Sequence, residues 1–218
     1  MSSIFEKTSF SVVWKREDSL DVMQEFDDYI YITHGEVVGE TEMFDGLFEK
    51  REVVASFSVT FVNFEKMIAE GQDVEDIFDS HSDAMYNYYN VLYDGHDFME
   101  DIYEMYDYGL VGANLFIIDR LLVFSRFRGH GLGLKVMDFL ISRLGHGAAL
   151  VLIKPFPLQF ECGECPEQWK RDPPREWGFS KLSKSKKNSM SKLRAHYGKI
   201  GFSELEGTPY MIRPSTRY

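Results

Sequence analysis

Residues 121–133 read LLVFSRFRGHGLG, and this stretch decides the fold because it joins a strand-like run to a helix-like run. The apolar run from Asn114 to Val123 is typical of a strand, and Gly131–Leu144 carries apolar residues at helical spacing. The three glycines between them let bare backbone N–H groups approach an anion at the positive end of the new helix. The stretch therefore predicts a diphosphate-binding turn.

Two other phosphate motifs are excluded letter by letter. A Walker A loop requires Lys and then Ser or Thr after its last glycine, but Lys135 follows Leu134 and precedes Val136. The dinucleotide fingerprint Gly-x-Gly-x-x-Gly fails because Leu134 or Val136 occupies its last position. From the glycines alone, a tight turn without a ligand remains the alternative.

The run resembles the coenzyme A-binding motif of the GNAT superfamily of acyltransferases, Arg/Gln-x-x-Gly-x-Gly/Ala after a strand that ends Leu-x-Val. Arg128, Gly131 and Gly133 occupy the motif positions here. Downstream, residues 193–202 read LRAHYGKIGF, which is similar to the family's helix ending Tyr-x-x-x-Gly-Phe. The resemblance covers residues 114–218.

This resemblance implies an α/β (α+β) fold with a mixed, mostly antiparallel central sheet flanked by helices. It implies that the sheet splits between strands 115–123 and 148–153, and that the pantetheine arm of acetyl-coenzyme A lies in the gap, pairing with the backbone of Leu121 and Val123. The implied reaction is direct transfer of an acetyl group to a primary amine in a ternary complex, with no metal. The predicted cofactor-binding residues are Leu121, Leu122, Val123, Arg128, Gly129, His130, Gly131, Leu132 and Gly133.

Two residues are candidates for proton transfer. The resemblance implies that Tyr197 lies near the thioester sulfur and protonates the departing thiolate, which suits a phenol that stays protonated at pH 7. The alternative for Tyr197 is a core aromatic residue. Asp119 matches a position where some family members carry an acidic base, and its apolar neighbours favour a raised pKa. A surface carboxylate or a salt bridge to Arg120 is the alternative for Asp119.

The length of 218 residues fits one domain, 1–218, with two insertions relative to simple family members, at 65–113 and 156–188. The first insertion is acidic and predicts one or two helices, whose aromatic residues form either core or a cage for a cation. The second is irregular. Other segments predict a helix at 19–28, strands at 29–38, 52–64, 202–205 and 210–213, and a last helix at 189–200.

The charge distribution bears on partners. The net charge is −11, but residues 1–110 carry 6 Lys and Arg against 26 Asp and Glu, whereas residues 111–218 carry 18 against 9. An acidic half argues against nucleic acid and anionic membranes as partners and favours a cationic amine, although an acidic solubilising face is the alternative. We expect a cytoplasmic protein, since neither an apolar run of spanning length nor a secretory signal is evident, and a homodimer stays open.

Smaller signals leave alternatives open. Cys162 and Cys165 have the spacing of a metal knuckle, with His146 or His196 as further ligands, but two free thiols are favoured. The lysines of 181–192 either meet cofactor phosphates or form a solvated loop. Met190 stands where the family often carries asparagine, which leaves that contact in doubt. The rival to an enzyme is a non-catalytic acyl-coenzyme A sensor or interaction module with the same fold.

Overall fold

The computed structural model describes residues 8–15, 28–42, 49–107, 109–161 and 177–216. The strands are β1 Thr8–Lys15, β2 Ile30–Glu42, β3 Glu49–Val62, β4 Tyr93–Asp94, β5 Asp97–Phe98, β6 Leu115–Val123, β7 Leu150–Ile153, β8 Ser203–Glu204 and β9 Met211–Pro214. The helices are α1 Phe64–Ala69, α2 Val74–His81, α3 Asp83–Leu92, α4 Glu100–Met105, α5 Leu132–Arg143 and α6 Lys186–Gly198, with 3-10 turns at Ser125–Phe127, Leu158–Phe160 and Phe179–Lys181.

Seven strands form one sheet in the order β1-β2-β3-β6-β7-β9-β8. Neighbouring strands run antiparallel except β6 and β7, which run parallel, as expected for strands joined by a helical crossover through α5. The predicted class, a mixed and mostly antiparallel sheet flanked by helices, is confirmed. The predicted split is also present, because β7 pairs only with Leu115–Ile118 of the nine-residue β6.

The two faces of the sheet carry separate hydrophobic cores. On one face, which we call the α1–α4 face, Leu115 and Ile117 pack with residues of α1 to α4. On the other, the α5 face, Phe116 and Ile118 pack with Val136 and other residues of α5. This alternation along β6 is the period of two that places successive strand residues on opposite sides.

The described part of the insertion at 65–113 folds as four short helices and a hairpin of two strands with two residues each. The sequence analysis predicts only one or two helices there. Asn63, Asp73 and Ser82 cap the first three helices through side-chain oxygens, which satisfies N–H groups at the helix starts. The ring of Tyr93 stacks on Phe64 with centroids 4.1 Å apart, and its hydroxyl donates to the carbonyl of Ala113 at 2.9 Å. The aromatic residues of the predicted stripe belong to the same core, because Phe78 is fully buried there and Tyr88 and Tyr89 pack against it.

Several boundaries differ from the prediction. Strand β1, which pairs with β2 at the sheet edge, has no counterpart in the sequence analysis. Helix α6 begins at Lys186, three residues earlier than predicted, because Ser185 accepts a hydrogen bond from the N–H of Asn188. The predicted helix at 19–28 and the pair Cys162 and Cys165 lie outside the described residues, apart from Asp28. No helix in the described ranges is long and apolar enough to cross a bilayer.

Candidate active site

A fork between β6 and β7 forms the frame of the site. The last pair of facing residues is Ile118 and Ile153, and beyond it the two strands separate. Proline at 155 and 157 cannot donate a ladder hydrogen bond, which ends β7 and sends the chain away from β6. Leu121 and Val123 consequently have β3 as a neighbour on one side and the open fork on the other.

A cavity of about 760 Å³ fills this fork on the α5 face. Its walls come from the end of β6, the glycine turn, the segment after β7, the 177–183 segment and helix α6. Its lining residues include Leu121, Leu122, Val123, Phe127, Arg128, Gly129, Gly131, Leu132, Gly133, Met137, Phe156, Pro157, Leu158, Phe179, Leu182, Lys192, Leu193, His196, Tyr197 and Lys199. One cavity thus brings together Tyr197 and every predicted cofactor-binding residue except His130, which is exposed beside it.

The glycine turn has the backbone that an anion cradle requires. Gly129 and Gly131 have φ angles of 83° and 76°, in the left-handed region that other residues avoid. The first intrahelical bond of α5 runs from the N–H of Lys135 to the carbonyl of Gly131, and no side chain caps the helix start. The N–H groups of Leu132 to Leu134 therefore lack intrahelical partners at the cavity wall, where the helix dipole is positive.

The side chain of Arg128 connects two walls of the cavity. Its Nε donates to the carbonyl of Val123 at 2.7 Å, and Nη2 donates to the carbonyl of Trp177. Burial lowers the pKa of the guanidinium, although arginine stays charged at any physiological pH. Its predicted contact with a diphosphate stays a prediction and depends on the guanidinium N–H groups that these two carbonyls do not use.

Tyr197 lies on the α5 face, packed beside the core at the end of α6. Its ring lies 6.3 Å from that of Phe202, and burial raises the pKa of its hydroxyl to about 12. Among the described residues, that hydroxyl makes no hydrogen bond. It therefore remains protonated over the physiological range and can donate to a group that enters the cavity.

Asp119 occupies a bulge at the branch point of the fork. In the pairing of β6 with β3, Ile118 faces Val59 and Arg120 faces Ser58, so that Asp119 is one extra residue. The bulge also exchanges the faces of the strand, because Leu121 and Val123 pack on the α5 face although Leu115 and Ile117 pack on the α1–α4 face. Asp119 itself does not line the cavity.

The carboxylate of Asp119 lies on the α1–α4 face. Its Oδ2 accepts a hydrogen bond from Thr60 Oγ1 at 2.7 Å. Desolvation raises its pKa to about 6, against the opposing effects of Thr60 and nearby His34. Asp119 is nevertheless an exposed residue, as the surface-carboxylate alternative expects, and the desolvation comes from the protein atoms packed around the carboxylate. The other alternative, a salt bridge to Arg120, is not formed, since Arg120 pairs with Glu161 at 2.8 Å.

Basic side chains come from α6. Of the lysines in 181–192, Lys192 lines the cavity, and Lys199 and His196 join it from the same helix and its end. Lys186 and Lys187 instead line a second cavity of about 950 Å³ on the other side of α6. The sequence analysis missed Lys199, which occupies a variable position of the 193–202 motif, and the apolar wall at 156–158, which belongs to no motif. The described ranges hold no group of three or more metal-ligating side chains.

Comparisons with known proteins find distant structural similarity and no sequence relatives. No family model and no curated protein matches this chain. Among solved structures, a mutant of KacT aligns at 8% identity and a TM-score of 0.41 over 96% of this chain and 95% of its own. A KacTA–DNA complex gives 9% and 0.40, covering 94% of both chains, and AtaTR bound with AcCoA gives 8% and 0.38, covering 96% and 94%. At these values, neither activity nor partner follows from the likeness.

Proposed function

We propose that this protein is an acyl-coenzyme A-dependent N-acyltransferase of the GNAT type, which transfers an acetyl group to a primary amine. The single observation that carries the proposal is the cavity that runs from the glycine turn to Tyr197 inside the fork. It offers an anion cradle at one end, a strand edge that β7 leaves open along one wall and a phenol donor. These are the features that a diphosphate, an amide-containing arm and a thioester would respectively need.

The unpaired edge of β6 supports the placement of the donor. Beyond Ile118 the strand has no β7 neighbour, so that its backbone groups face the fork. An extended arm with amide groups can pair there as an added strand would. The apolar walls at Phe156 and Leu182 suit the methylene segments of such an arm, because burying them removes apolar surface from water.

The proposed reaction needs no covalent enzyme intermediate. The amine nitrogen bonds to the thioester carbonyl carbon, and the carbon–sulfur bond breaks with its electron pair on sulfur. The Tyr197 hydroxyl donates a hydrogen bond to the developing thiolate and supplies its proton. The nitrogen, now bonded to carbon, gives up its second proton, which returns through water to the Tyr197 phenolate, so that the products are the amide and the free thiol. An alkyl ammonium has a reference pKa near 10.4 and must lose a proton before attack. Asp119 is the proposed acceptor of that proton, directly or through water.

Two measurements test the proposal. Isothermal calorimetry with coenzyme A tests the cradle, and thiol release from acetyl-coenzyme A with a panel of primary amines tests the transfer. We expect heat of binding and amine-dependent thiol release. A folded sample without coenzyme A binding sinks the proposal as a whole. Binding without thiol release for any amine points instead to the sensor.

A further inference from the structure

The bulge at Asp119 places a carboxylate opposite the donor cavity at the branch point of the fork. Leu121, two residues further along the strand, lines the cavity on the α5 face. Asp119 bonds to Thr60, which faces Ile117 across the β3–β6 pair on the α1–α4 face. An acceptor bound at this carboxylate would therefore reach the narrow end of the fork from the side that the donor does not occupy.

Two tyrosines stand beside this carboxylate. The rings of Tyr88 and Tyr210 meet edge to face with centroids 5.3 Å apart. Ile118 faces Ile153, which faces Met211, so that Asp119 and Tyr210 follow the same row of the sheet at the same end. Tyr210 and Tyr88 both pack on the α1–α4 face, where Asp119 bonds to Thr60. Tyr88 comes from α3 in the insertion, whereas Tyr210 precedes β9, so that this arrangement depends on the insertion being folded onto the sheet.

Tyr88 differs from its neighbours in the insertion because its hydroxyl is not committed. Tyr86 donates to Glu75, Tyr89 to the carbonyl of Gly95, Tyr93 to that of Ala113 and Tyr106 to that of Ile212. Within the described ranges, neither the Tyr88 nor the Tyr210 hydroxyl makes a hydrogen bond. Although Tyr210 is only 7% exposed, its hydroxyl oxygen is not sealed from solvent, so that a ligand on this face can reach it.

The carboxylate has unused capacity too. It accepts a hydrogen bond from Thr60 through Oδ2, and a carboxylate has about four lone-pair directions, so that it can accept further bonds from a ligand. The surrounding field favours a cation, since residues 73–107 contain eleven Asp and Glu and no Lys or Arg. A carboxylate, two aromatic rings and two unused hydroxyls match the needs of an ammonium group, which donates three hydrogen bonds and is attracted to aromatic faces.

We propose that the acceptor amine, an alkyl ammonium, docks on the α1–α4 face between Asp119 and the ring pair of Tyr88 and Tyr210. The insertion thereby supplies the specificity-determining residue Tyr88 rather than only covering the sheet. This site rests on the proposed acyl transfer, because its position at the fork gives it a role only if a donor lies on the other side. An aromatic amine, neutral at pH 7, lacks the charge that the site recognises.

The test is a titration of the protein, labelled with carbon-13 on its tyrosine rings, with 1,4-diaminobutane at pH 8 in the presence of coenzyme A. Tyr88→Phe and Tyr210→Phe assign the two resonances by their disappearance. We expect both resonances to move, with Tyr86 unmoved. Tyr86 is the matched internal control because it lies two residues earlier on α3, on the opposite side of the helix.

Two variants decide the chemistry of the site. Asp119→Asn should weaken 1,4-diaminobutane binding by about tenfold or more, because it removes the charge. Tyr88→Leu should weaken it roughly threefold to thirtyfold, as expected for a lost cation–aromatic contact, whereas Tyr86→Leu should leave it unchanged. Coenzyme A binding by calorimetry confirms that each variant is folded.

The outcomes separate this inference from the proposed function. Coenzyme A heat without movement of the Tyr88 and Tyr210 resonances overturns the acceptor site and leaves acyl transfer standing. Equal resonance shifts in wild type and Asp119→Asn also overturn it. Resonance movement without any coenzyme A heat overturns acyl transfer and, with it, the acceptor role of the cation site.

Discussion

The guanidinium of Arg128 is held by the carbonyl of Val123, with Nε and the oxygen 2.7 Å apart. A second nitrogen of the same group bonds to the carbonyl of Trp177, so that one side chain ties the end of β6 to the segment that covers the cavity. Arg128 thus shapes the wall of the cavity whether or not it also touches a phosphate.

Replacing Arg128 with Met should therefore destabilise the fold. The variant keeps most of the aliphatic stem but leaves two carbonyls without their donors, and we expect the free energy of unfolding to fall by about 2–3 kcal/mol. Urea denaturation measures the change. Arg126→Met is the matched control, since Arg126 is half exposed and pairs with Glu52 at the surface at 3.3 Å, which predicts a loss below about 1 kcal/mol. Equal losses for both variants would contradict the bracing role.

Gly131→Ala separates backbone strain from ligand binding. Its φ of 76° costs an alanine about 1–2 kcal/mol, and no atom of the described residues lies within 4 Å of the added methyl group. Gly207→Ala is the control, because Gly207 has a φ of 73°, equally open surroundings and a position outside the cavity. We expect similar losses of stability in urea. Only Gly131→Ala should weaken coenzyme A binding in calorimetry, by about tenfold or more. Equal coenzyme A affinities in the two variants would contradict the binding of the diphosphate at the glycine turn.

Tyr197→Phe should lower the turnover of acetyl-coenzyme A by about 10²- to 10⁴-fold, the usual contribution of a positioned proton donor. Coenzyme A affinity should stay the same, because the aromatic ring and its packing against Phe202 are retained. Tyr31→Phe serves as the control, since the Tyr31 hydroxyl donates to the Asp28 carbonyl far along β2. Thiol release and calorimetry give the two numbers. Unchanged turnover would show that Tyr197 is a core aromatic residue and not the proton donor.

The raised pKa of Asp119 makes stability depend on pH in a defined direction. The folded carboxyl has a pKa of about 6, above the reference value near 3.9, so that between about pH 4 and pH 6 the folded state binds more protons than the unfolded state. The contribution of Asp119 to the free energy of unfolding therefore falls as the pH rises from about 4 to about 6. Asp119→Asn should become more stable than wild type above pH 6 and lose this advantage below pH 4. Urea titrations at fixed ionic strength measure the difference.

The same carboxyl predicts the pH profile of transfer. If Asp119 accepts the amine proton, kcat/KM should rise through about pH 6 and lose this step in Asp119→Asn. Tyr197, with a pKa of about 12, stays protonated throughout and adds no falling limb below pH 10. The charge of His34 lowers the pKa of Asp119, so that His34→Ala should move the step upward. A wild-type profile without this step, or the same step in Asp119→Asn, would exclude Asp119 as the base.

The elements around the glycine turn were predictable from sequence because local signals agree there. Apolar β6, the turn and α5 follow one another with clear changes of period, and α5 begins within one residue of its predicted start. Helix α1 was missed because six residues carry too little periodicity, and its start depends on the cap at Asn63. β1 was missed although its sequence is strand-like, since pairing with β2 rather than any local signal defines it.

The chemistry was predictable only in part. The motifs brought Tyr197 and the turn residues to one cavity, as the lining shows. The face of the sheet on which Asp119 lies was not predictable from sequence. It depends on the bulge in the register between β3 and β6, and the residues around position 119 carry no pattern that indicates a bulge. For the same reason, the sequence did not show that Tyr88 of the insertion and Asp119 lie on the same face of the sheet.

Because of the bulge at Asp119, the odd-numbered residues of β6 pack on one face of the sheet before the bulge and on the opposite face after it. Upstream of the bulge, Leu115 and Ile117 are committed to the insertion helices, and downstream Leu121 and Val123 are committed to the opposite chamber. Substitutions in α2 to α4 can therefore change the α1–α4 face, where we propose that the acceptor docks, without changing the residues of the donor cavity on the α5 face. A chimera that exchanges the insertion should therefore change the selectivity for the acceptor amine and leave coenzyme A affinity unchanged.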